Sequence, residues 1–286
     1  MSPLSLDLQE KYQALQAMLA EMGDLIIGMS GGVDSVLLSK VAHDVLGNRA
    51  LAVTADSPSL PRRELKEAES MARIIGIRHL SIKTEELNDP NYAANPNNRC
   101  YFCKSELFSR LGQLAQELGF RWLAYGENLD DKGDHRPGSA AADEYQVRAP
   151  LKEAALSKDD IRQLAEYLDL PVWDKPAFAC LGSRFPYGSE ITRKRLQQVE
   201  VAEDLLWELG FKQFRVRHHD DIARIEVLPE QVAKLVSVAD RVTFEFKRLG
   251  YTYITMELGG YERGSMNKGS SSTKLHEQVI VIKQKS

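Results

Sequence analysis

The chain has 286 residues, of which 43% are hydrophobic, and its formal net charge at pH 7 is −4. This length allows one large or two modest domains with a full hydrophobic core. The acidic balance excludes a global basic field of the kind that holds nucleic acid, so no nucleic-acid partner is expected. No apolar stretch approaches the roughly 20 residues of a membrane span. The N-terminal MSPLSLDLQEK carries acidic residues where a signal peptide carries basic ones, so we expect a cytoplasmic enzyme without a membrane partner.

Four short apolar runs in the first half of the chain have the length and composition of buried strands. They lie at 25–27, 50–56, 79–83 and 122–126. Apolar residues at helical spacing occupy the segments around these runs, at 8–22, 36–45, 61–75, 105–118 and 157–168. Strands that alternate with helices in this way favour an α/β fold with a doubly wound parallel sheet covered on both faces. Ligands of such sheets bind at the carboxyl ends of the strands.

A proline-punctuated segment at 171–188 separates this pattern from a different one. We predict a first domain over 1–188, in which residues 132–145 form a mobile loop over the site. We predict a smaller α+β domain over 189–263 that serves substrate binding or oligomerisation. Its helices and strands are expected at 190–210, 214–218, 223–228, 230–238, 240–249 and 251–258. Residues 264–286 are polar and rich in serine, which predicts a mobile tail in which QVIVIK can add an edge strand.

The sequence LIIGMSGGVDS at 25–35 joins the first predicted strand to a helix through a glycine turn. A strand, a tight turn and a helix N-terminus place several backbone N–H groups around one concavity, which suits a phosphate. The candidate nucleotide-binding residues of this turn are Ser30, Gly31, Gly32, Asp34 and Ser35. The turn lacks the Gly-Lys-Ser/Thr ending of a Walker loop, so that class of nucleotide triphosphatase is not supported. An ordinary strand-to-helix link with two glycines is the simpler alternative.

A second polar run, GENLDD at 126–131, follows the fourth predicted strand. Because the carboxyl ends of parallel strands meet at one edge of the sheet, this run is expected beside the glycine turn. Carboxylates next to a triphosphate can hold Mg²⁺ directly or through water, whereas an acidic loop by itself is usually just solvated. Gly126 and Asp130 are candidate nucleotide-binding residues. Asp34, Asp130 and Asp131 are candidate neighbours of Mg²⁺, with Asp131 named as the metal ligand.

The chain has three cysteines, which is a small and odd number for a disulfide framework. Metal binding or reactivity is therefore the better interpretation. Cys100 and Cys103 lie in NRCYFCK just before a predicted helix, whose N-terminus is expected to lower the pKa of their thiols. Cys180 lies in FACLGSRFPYG. A tetrahedral zinc site would need a fourth ligand. Three thiolates can instead hold three irons of a 4Fe–4S cluster and leave the fourth open; buried, unreactive cysteines are the plain alternative.

The motifs SGGVDS, NRCYFCK, GENLDD and above all ACLGSRFPYG resemble those of the LarE family. This family consists of ATP-dependent sulfur transferases of the PP-loop ATP pyrophosphatase superfamily, which help to make the nickel-pincer nucleotide cofactor. The resemblance covers nearly the whole chain. It implies a homo-oligomer that uses ATP and Mg²⁺ to adenylylate a carboxylate of a pyridinium biscarboxylate mononucleotide and then replaces AMP by sulfur, giving a thiocarboxylate.

The resemblance also implies roles for individual residues. Cys180 matches the sulfur-bearing cysteine of the family, which some members sacrifice. Cys100 and Cys103 are additions typical of a subgroup that holds a 4Fe–4S cluster on three cysteines and delivers sulfide from its open iron; the source of that sulfide stays open. The phosphate and carboxylates of the substrate require cations. The candidate substrate-binding residues are Ser183, Arg184, Arg215, Arg217 and Glu226.

Three other activities are compatible with the same glycine turn. A tRNA thiolase with three cysteines needs a basic RNA-binding surface, which the composition does not favour. In an amidating ligase of the NAD or GMP synthetase type, the Cys180 segment would have no function. A non-catalytic adenine-nucleotide sensor would bind ATP without releasing pyrophosphate. Among the remaining charged residues, Glu200, Glu203 and Asp204 are expected on the solvent-exposed face of the long helix.

Overall fold

The structure is a computed structural model that describes residues 4–131, 137–176 and 179–262. The chain forms two compact units. The first runs to Gly182 and includes Tyr187–Leu196, and the second comprises Ser183–Pro186 and the chain from Gln197 onward. The tail predicted over 264–286 and the first part of the predicted loop, 132–136, lie outside the described residues.

The first unit is built on a four-stranded sheet whose strands are all parallel. The strands are β1 (Leu25–Gly28), β2 (Ala50–Asp56), β3 (Arg78–Lys83) and β4 (Leu123–Tyr125), in the order β3-β2-β1-β4. Leu25 and Ile27 pack into one hydrophobic core and Ile26 into another, because successive side chains of a strand point to opposite faces. All three side chains are fully buried, as expected for a parallel sheet covered on both faces. The predicted α/β fold is confirmed.

Eight helices of the described residues flank this sheet in the first unit. They are α1 (Leu6–Met22), α2 (Val33–Leu46), α3 (Arg62–Ile75), α4 (Pro90–Ala93), α5 (Arg99–Leu118), α6 (Pro137–Glu144), α7 (Pro150–Glu153) and α8 (Lys158–Tyr167). Apolar side chains of α1, α2 and α8 pack with Leu25 and Ile27, whereas Phe108 and Leu111 of α5 pack with Ile26. The helices thus form one layer on each side of the sheet.

Two sequence-based expectations for this unit are wrong. Helix α5 begins at Arg99, so Cys100 and Cys103 lie in its first two turns and not before it. Its first turns present no buried apolar side chain, and the hydrophobic periodicity therefore starts late. Residues 137–144, predicted as loop, form α6. Its small residues Ala141 and Ala142 are buried in the core, a signal that hydrophobic patterning detects poorly.

The second unit has its own three-stranded sheet and its own hydrophobic core. Its helices and strands are α9 (Arg193–Glu208), whose first turn belongs to the first unit, β5 (Phe214–His219), β6 (Ile222–Val227), α10 (Val232–Ser237), α11 (Ala239–Arg248) and β7 (Tyr253–Met256). Strands β5 and β6 form an antiparallel hairpin, and β7 adds to β6 in parallel. Phe211, Val216 and Phe246 lie in the core between this sheet and its helices. No helix in the described part of the chain is long and apolar enough to cross a membrane.

Replacing Ser157 by Ala should destabilise the first unit by about 1 kcal/mol. The Ser157 hydroxyl accepts from Asp160 N at 3.1 Å, and Asp160 Oδ2 accepts from Ser157 N at 2.9 Å, which makes a complete capping box at the start of α8. Urea unfolding followed by circular dichroism measures the change in midpoint. Ser237→Ala, at an exposed helix C-terminus, is the matched control. An equal midpoint for Ser157→Ala and the wild type would contradict the assigned role of the cap.

Candidate active site

The order of the strands places a crevice at the carboxyl ends of β1 and β4. The chain leaves β1 toward β2 on one side, whereas β4 pairs with β1 on the other. At such a topological switch point the connections diverge and leave room for a ligand. The predicted glycine turn follows β1 and the GENLDD run follows β4, so the fold brings these two motifs together.

Gly126 lies against the first turn of α2. A Cβ at this position would come within 2.7 Å of Ser35 N and 3.0 Å of the carbonyl carbon of Asp34. Both are main-chain atoms, which cannot rotate away as a flexible side chain can. The absence of a side chain at Gly126 is therefore what allows the two loops to meet.

The glycine turn is held in shape by its own serines. Ser35 Oγ accepts from Ser30 N and donates to the Gly32 carbonyl oxygen, both at 3.1 Å. Ser30 Oγ lies 3.2 Å from Ser35 Oγ and accepts from Gly32 N at 3.4 Å. Gly31 has φ of +77° and sits closely against Ala68, a combination that requires glycine. The turn is thus a preformed cradle at the N-terminus of α2, where the helix dipole favours an anion.

A cavity of about 210 Å³ opens beside this turn. Its walls come from β1, β4, the two loops and the facing side of α5. They are formed by Gly28, Ser30, Asp34, Ser35, Lys104, Leu107, Phe108, Tyr125, Gly126, Glu127, Asp131 and Ser139. Of the predicted nucleotide-binding residues, Ser30, Asp34, Ser35 and Gly126 line the cavity, and so does Asp131. Gly31, Gly32 and Asp130 do not line it.

The carboxylates at the cavity differ in their partners. Asp34 accepts a hydrogen bond from Asn128 Nδ2 at 3.0 Å and forms an ion pair with Lys158. Asp131 Oδ2 accepts from Asn128 N at 3.2 Å. Asp130 Oδ2 accepts from Lys158 N at 2.7 Å, which assigns Asp130 to the start of α8. Asp34 and Asp131 are therefore the two acidic groups of the predicted set that face the cavity.

The acidic groups fit a Mg²⁺ ion that is shared with a phosphate. Mg²⁺ is usually bound by one or two carboxylates, several waters and phosphate oxygens. The described ranges contain no group of three His, Cys, Asp or Glu side chains close enough to hold an ion by themselves. Asp34 and Asp131 would thus supply the protein ligands, and a bound triphosphate would supply the rest.

Sequence reasoning missed the lysines around this site. Lys104 lines the cavity, with its Nζ 4.5 Å from the centre of the Tyr125 ring. Lys158 pairs with Asp34. Lys175 Nζ donates to Glu64 Oε2 at 2.7 Å and to the Gly31 carbonyl oxygen at 3.3 Å. A single lysine carries no sequence pattern, so only the folded chain shows that these cations surround the glycine turn.

Glu127 adds an ionised carboxylate to the cavity wall. It is buried, and it accepts from the Tyr125 hydroxyl and from Ser139 Oγ, the latter at 3.0 Å. Lys152 Nζ lies 3.3 Å away. Burial alone would raise the pKa of Glu127, but these hydrogen bonds and the Lys152 charge outweigh burial and lower it. Glu127 therefore remains a hydrogen-bond acceptor at neutral pH.

The three cysteines come together within the first unit. Cys100 and Cys103 are three residues apart on α5, and all three are present as thiols. Burial, the Glu86 carboxylate and the neighbouring Cys180 and Cys100 raise the pKa of the Cys103 thiol well above its ordinary value. The expected lowering of the thiol pKa by the helix N-terminus is wrong for both Cys100 and Cys103, because desolvation and negative neighbours raise the pKa of each. A thiol of this kind keeps its proton until a metal displaces it.

Main-chain hydrogen bonds fix the segment that carries Cys180. Leu181 N donates to the Ser59 carbonyl oxygen at 2.8 Å. The side chain of Ser59 in turn donates to Glu86 Oε1 at 2.8 Å, and Thr84 Oγ1 donates to Glu86 Oε2 at 3.0 Å. Glu86 is only 2% exposed. A buried carboxylate with several hydroxyl donors forms a rigid network. This network holds Ser59, whose carbonyl oxygen binds Leu181 N, and so it fixes the main chain next to Cys180.

The predicted substrate-binding residues all lie in the second unit. Arg184 forms a two-bond pair with Glu203, at 2.9 and 2.8 Å, and Arg217 forms one with Glu226, at 3.0 and 2.7 Å. Arg217 Nη1 also donates to the carbonyl oxygen of Ser183 at 3.0 Å. Such bidentate pairs hold guanidinium planes in fixed orientations.

Arg215 differs from the other two arginines. Its Nη1 donates to the Phe214 carbonyl oxygen at 2.6 Å, and its guanidinium carbon lies 5.1 Å from the centre of the Tyr261 ring. Burial and the charge of Arg184 lower the pKa of Arg215 to about 10. Arg215 remains a cation at neutral pH. Because its surroundings disfavour the charged form, a bound anion would stabilise that form.

The expectation for Glu203 is wrong. Glu203 is 3% exposed and pairs with Arg184, and its Oε1 also accepts from Val216 N at 2.9 Å. The buried face of α9 includes Ala202 and Leu206, and Glu203 shares that face. From the sequence alone, a charged residue is expected to be exposed to solvent. The buried partner that allows Glu203 to lie in the interior is distant along the chain and gives no local signal.

The chain resembles several known proteins over most of its length. A family model described as NAD synthase matches residues 8–111. An uncharacterized protein of Synechocystis sp. is 48% identical over 264 residues, which are 91% of this chain and 98% of that protein. The pyridinium-3,5-bisthiocarboxylic acid mononucleotide synthase of Lactiplantibacillus plantarum is 36% identical over 269 residues, which are 94% of this chain and 98% of the synthase. The chain belongs to the LarE family.

The family predicted from the sequence motifs is therefore confirmed, and so is the assignment to enzymes with a PP-loop fold. A more distant likeness is to the glutamine-hydrolyzing GMP synthase of Lacticaseibacillus rhamnosus. It is 26% identical over 211 residues, which are 66% of this chain and 40% of that synthase. The residues that the NAD synthase model matches include the glycine turn. The cysteine segments lie within the region that the synthase of L. plantarum matches almost end to end.

Replacing Gly126 by Ala should weaken ATP binding at least about tenfold, because the new Cβ would displace the main chain of the glycine turn. Isothermal titration with ATP and Mg²⁺ measures the dissociation constant. Gly112→Ala is the matched control, since a Cβ there meets no atom within 4 Å and alanine favours the helix. Unchanged ATP affinity in Gly126→Ala would contradict the role given to this close approach.

Replacing Glu203 by Gln should lower the stability of the second unit by about 3 kcal/mol, because Arg184 would be left buried without an ionised partner. Burial raises the pKa of Glu203, but the charge and hydrogen bonds of Arg184 outweigh it and hold the pKa below its ordinary value. The stabilisation is therefore complete above the ordinary carboxyl pKa and declines as the pH falls toward the lower folded value.

Urea unfolding at several pH values tests the prediction for Glu203→Gln. The wild type should lose stability on acidification more steeply than Glu203→Gln. Glu208→Gln, exposed on the same helix, should follow the wild type at every pH. Parallel pH profiles for Glu203→Gln and the wild type would show that the Arg184 pair is not the source of the acid sensitivity.

Proposed function

We propose that this chain is an ATP-dependent sulfur transferase that converts carboxylates of pyridinium-3,5-biscarboxylate mononucleotide into thiocarboxylates. Membership of the LarE family and the name of the relative in L. plantarum support the substrate. One observation within the first unit carries the chemistry. Helix α5 carries both Cys100 and Cys103 and, one residue further on, Lys104, which lines the cavity beside the glycine turn; this supports a short path between the cysteines and the phosphate cradle.

The first step activates the substrate. A carboxylate is a poor acyl electrophile because oxide is a very poor leaving group. A carboxylate oxygen of the substrate attacks the α-phosphorus of ATP, an acyl-adenylate forms, and pyrophosphate leaves. The N–H groups of the glycine turn and the charge of Lys104 hold the phosphates and stabilise the developing negative charge. Asp34 and Asp131 would hold Mg²⁺, which when bound neutralises phosphate charge.

The second step transfers sulfur. Hydrosulfide attacks the acyl carbon of the mixed anhydride, the new C–S bond forms, the C–O bond to AMP breaks, and one proton is released. Cys100, Cys103 and Cys180 are the three cysteines of the chain, and we assign to them the 4Fe–4S cluster that the family resemblance implies. When bound, the cluster would supply a site for sulfide. The predicted homo-oligomer and cytoplasmic location stay predictions.

The substrate itself requires cations, and the second unit offers them. Arg184, Arg215 and Arg217 are buried guanidinium groups, and two of them are oriented by Glu203 and Glu226. Planar guanidinium groups suit both carboxylate and phosphate. We assign these arginines, with Ser183, to recognition of the pyridinium mononucleotide.

Iron and acid-labile sulfide should each amount to about four per chain in protein purified without oxygen. Each of Cys100→Ala, Cys103→Ala and Cys180→Ala should lose this content together with thiocarboxylate formation. The three variants should still release pyrophosphate in the presence of the mononucleotide, because the phosphate cradle does not involve the thiols. Colorimetric assays of iron and sulfide, and an enzyme-coupled assay of pyrophosphate, measure the three quantities.

Ser105→Ala, on the same helix as Cys100 and Cys103, is the control and should keep iron, sulfide and turnover. A wild-type protein that thiolates its substrate without iron would overturn the cluster and leave Cys180 as a donor that works once. A wild type that binds ATP but never releases pyrophosphate with the mononucleotide would overturn the proposed function as a whole.

A further inference from the structure

The ammonium group of Lys175 contacts the glycine turn from a distant part of the first unit. Its Nζ donates to the Gly31 carbonyl oxygen at 3.3 Å and to Glu64 Oε2 at 2.7 Å, and it lies 2.9 Å from Glu67 Oε2. An ammonium group has three hydrogens, and these three acceptors match them in number. The side chain of Lys175 is only 14% exposed. The ammonium group is therefore held at one place beside the turn.

The main chain that carries Lys175 is held as well. Arg162 Nη1 donates to the Trp173 carbonyl oxygen at 2.6 Å, and Arg162 Nη2 donates to the Lys175 carbonyl oxygen at 2.8 Å. Lys175 N donates to the Val172 carbonyl oxygen at 3.1 Å. Arg162 belongs to α8, which packs against the sheet. These bonds fix the point from which the lysine side chain reaches the turn.

The glycine turn holds its other peptide groups by bonds of its own. Ser30 N donates to Ser35 Oγ at 3.1 Å, and the Gly32 carbonyl oxygen accepts from Ser35 Oγ at 3.1 Å and from Val36 N at 3.0 Å. The Gly31 carbonyl oxygen instead accepts from a residue 144 positions away along the chain. Two successive glycines allow the peptide group between them to rotate at little steric cost. The bond from a fixed ammonium group opposes that rotation.

The same bond determines where the N–H of Gly32 points. The Gly31 carbonyl and the Gly32 N–H belong to one planar trans peptide group, so they point in opposite directions. Because the carbonyl faces Lys175, the N–H faces Ser30, which lines the cavity and whose Oγ lies 3.4 Å from Gly32 N. A bond of this length is weak. A charged phosphate oxygen is a stronger acceptor and can replace it.

We propose that Lys175 is a positioning residue that orients the Gly31–Gly32 peptide group toward the phosphates of ATP. This inference rests on the proposed function, because it names a residue that shapes the phosphate cradle for that nucleotide. Lys175, unlike Lys104, lies outside the walls of the cavity, and the two glutamates balance its charge. Lys175 thus acts through the main chain of the turn and not by attracting the nucleotide.

Replacing Lys175 by Met should weaken the binding of pyrophosphate and of ATP about tenfold, because the peptide group loses its bond to a charged donor. Isothermal titration in the presence of Mg²⁺ measures both dissociation constants. The binding of adenosine, followed by ligand-detected NMR, should stay unchanged because adenosine carries no phosphate. A general structural role of Lys175 would lower the affinity for adenosine as well.

A triple variant separates the orientation of the peptide group from the effect of charge. Lys175→Met leaves Glu64 and Glu67 without their cation, and negative charge near the cradle would by itself weaken the binding of an anion. Lys175→Met combined with Glu64→Met and Glu67→Met removes both charges and keeps similar side-chain volumes, so it also serves if the single variant does not fold. Its affinity for pyrophosphate should remain about tenfold below that of the wild type.

Lys11→Met is the matched control. Lys11 also lies in the first unit and also pairs with two carboxylates, those of Asp7 and Asp160, but its partners belong to α1 and α8 and not to the glycine turn. Its replacement should leave the binding of pyrophosphate, ATP and adenosine unchanged.

Three results would overturn the positioning role and leave the proposed function intact. They are wild-type affinity for pyrophosphate in Lys175→Met, an equal loss of affinity for adenosine, and wild-type affinity for pyrophosphate in the triple variant. The last result would make Lys175 a neutralising charge. A wild type that binds neither ATP nor pyrophosphate would overturn both proposals. Lys175-dependent binding of pyrophosphate, in a protein that never thiolates the mononucleotide, would support the positioning role and overturn the proposed function.

Discussion

The first unit depends on the approach of the Gly126 main chain to the first turn of α2. Without a Cβ at that point, the ends of β1 and β4 can share one crevice, and a side chain of even one carbon would collide with Ser35 N. The approach allows Asn128 to reach Asp34 and places Asp131 on the cavity wall. The glycine turn, two carboxylates and Lys104 thus line one cavity, which is the preorganisation that phosphate chemistry requires.

Buried charges are treated in two different ways in this protein. In the second unit, Arg184 and Arg217 are each matched by a buried carboxylate in bidentate geometry, so those groups are fixed and satisfied. In the first unit, Glu86 is satisfied by hydroxyl groups, while Arg99 has only a neutral amide, an aromatic ring and nearby thiols. Arg184 and Arg217 are thus held in fixed orientations by charged partners, whereas Arg99 has no carboxylate partner among the described residues.

Local patterns were enough to predict part of this architecture. The buried strand at Leu25–Gly28 and the capped helix after Ser157 follow from apolar runs and capping chemistry, which act over a few residues. The start of α5, by contrast, carries no apolar periodicity, so its first two turns give no helical signal in the sequence. Glu203 is buried because of an ion pair with Arg184, which lies 19 residues away along the chain. Tertiary contacts of this kind leave no mark on the local sequence.

The most direct test of the account is the number of thiocarboxylate groups formed per chain, measured with excess sulfide, ATP and pyridinium mononucleotide, together with the intact mass of the protein afterwards. We expect many thiocarboxylates per chain and an unchanged polypeptide mass, because in the proposed reaction the sulfur is supplied from outside the chain. One thiocarboxylate per chain, with the polypeptide lighter by the mass of H₂S, would contradict it and identify Cys180 as a consumed donor.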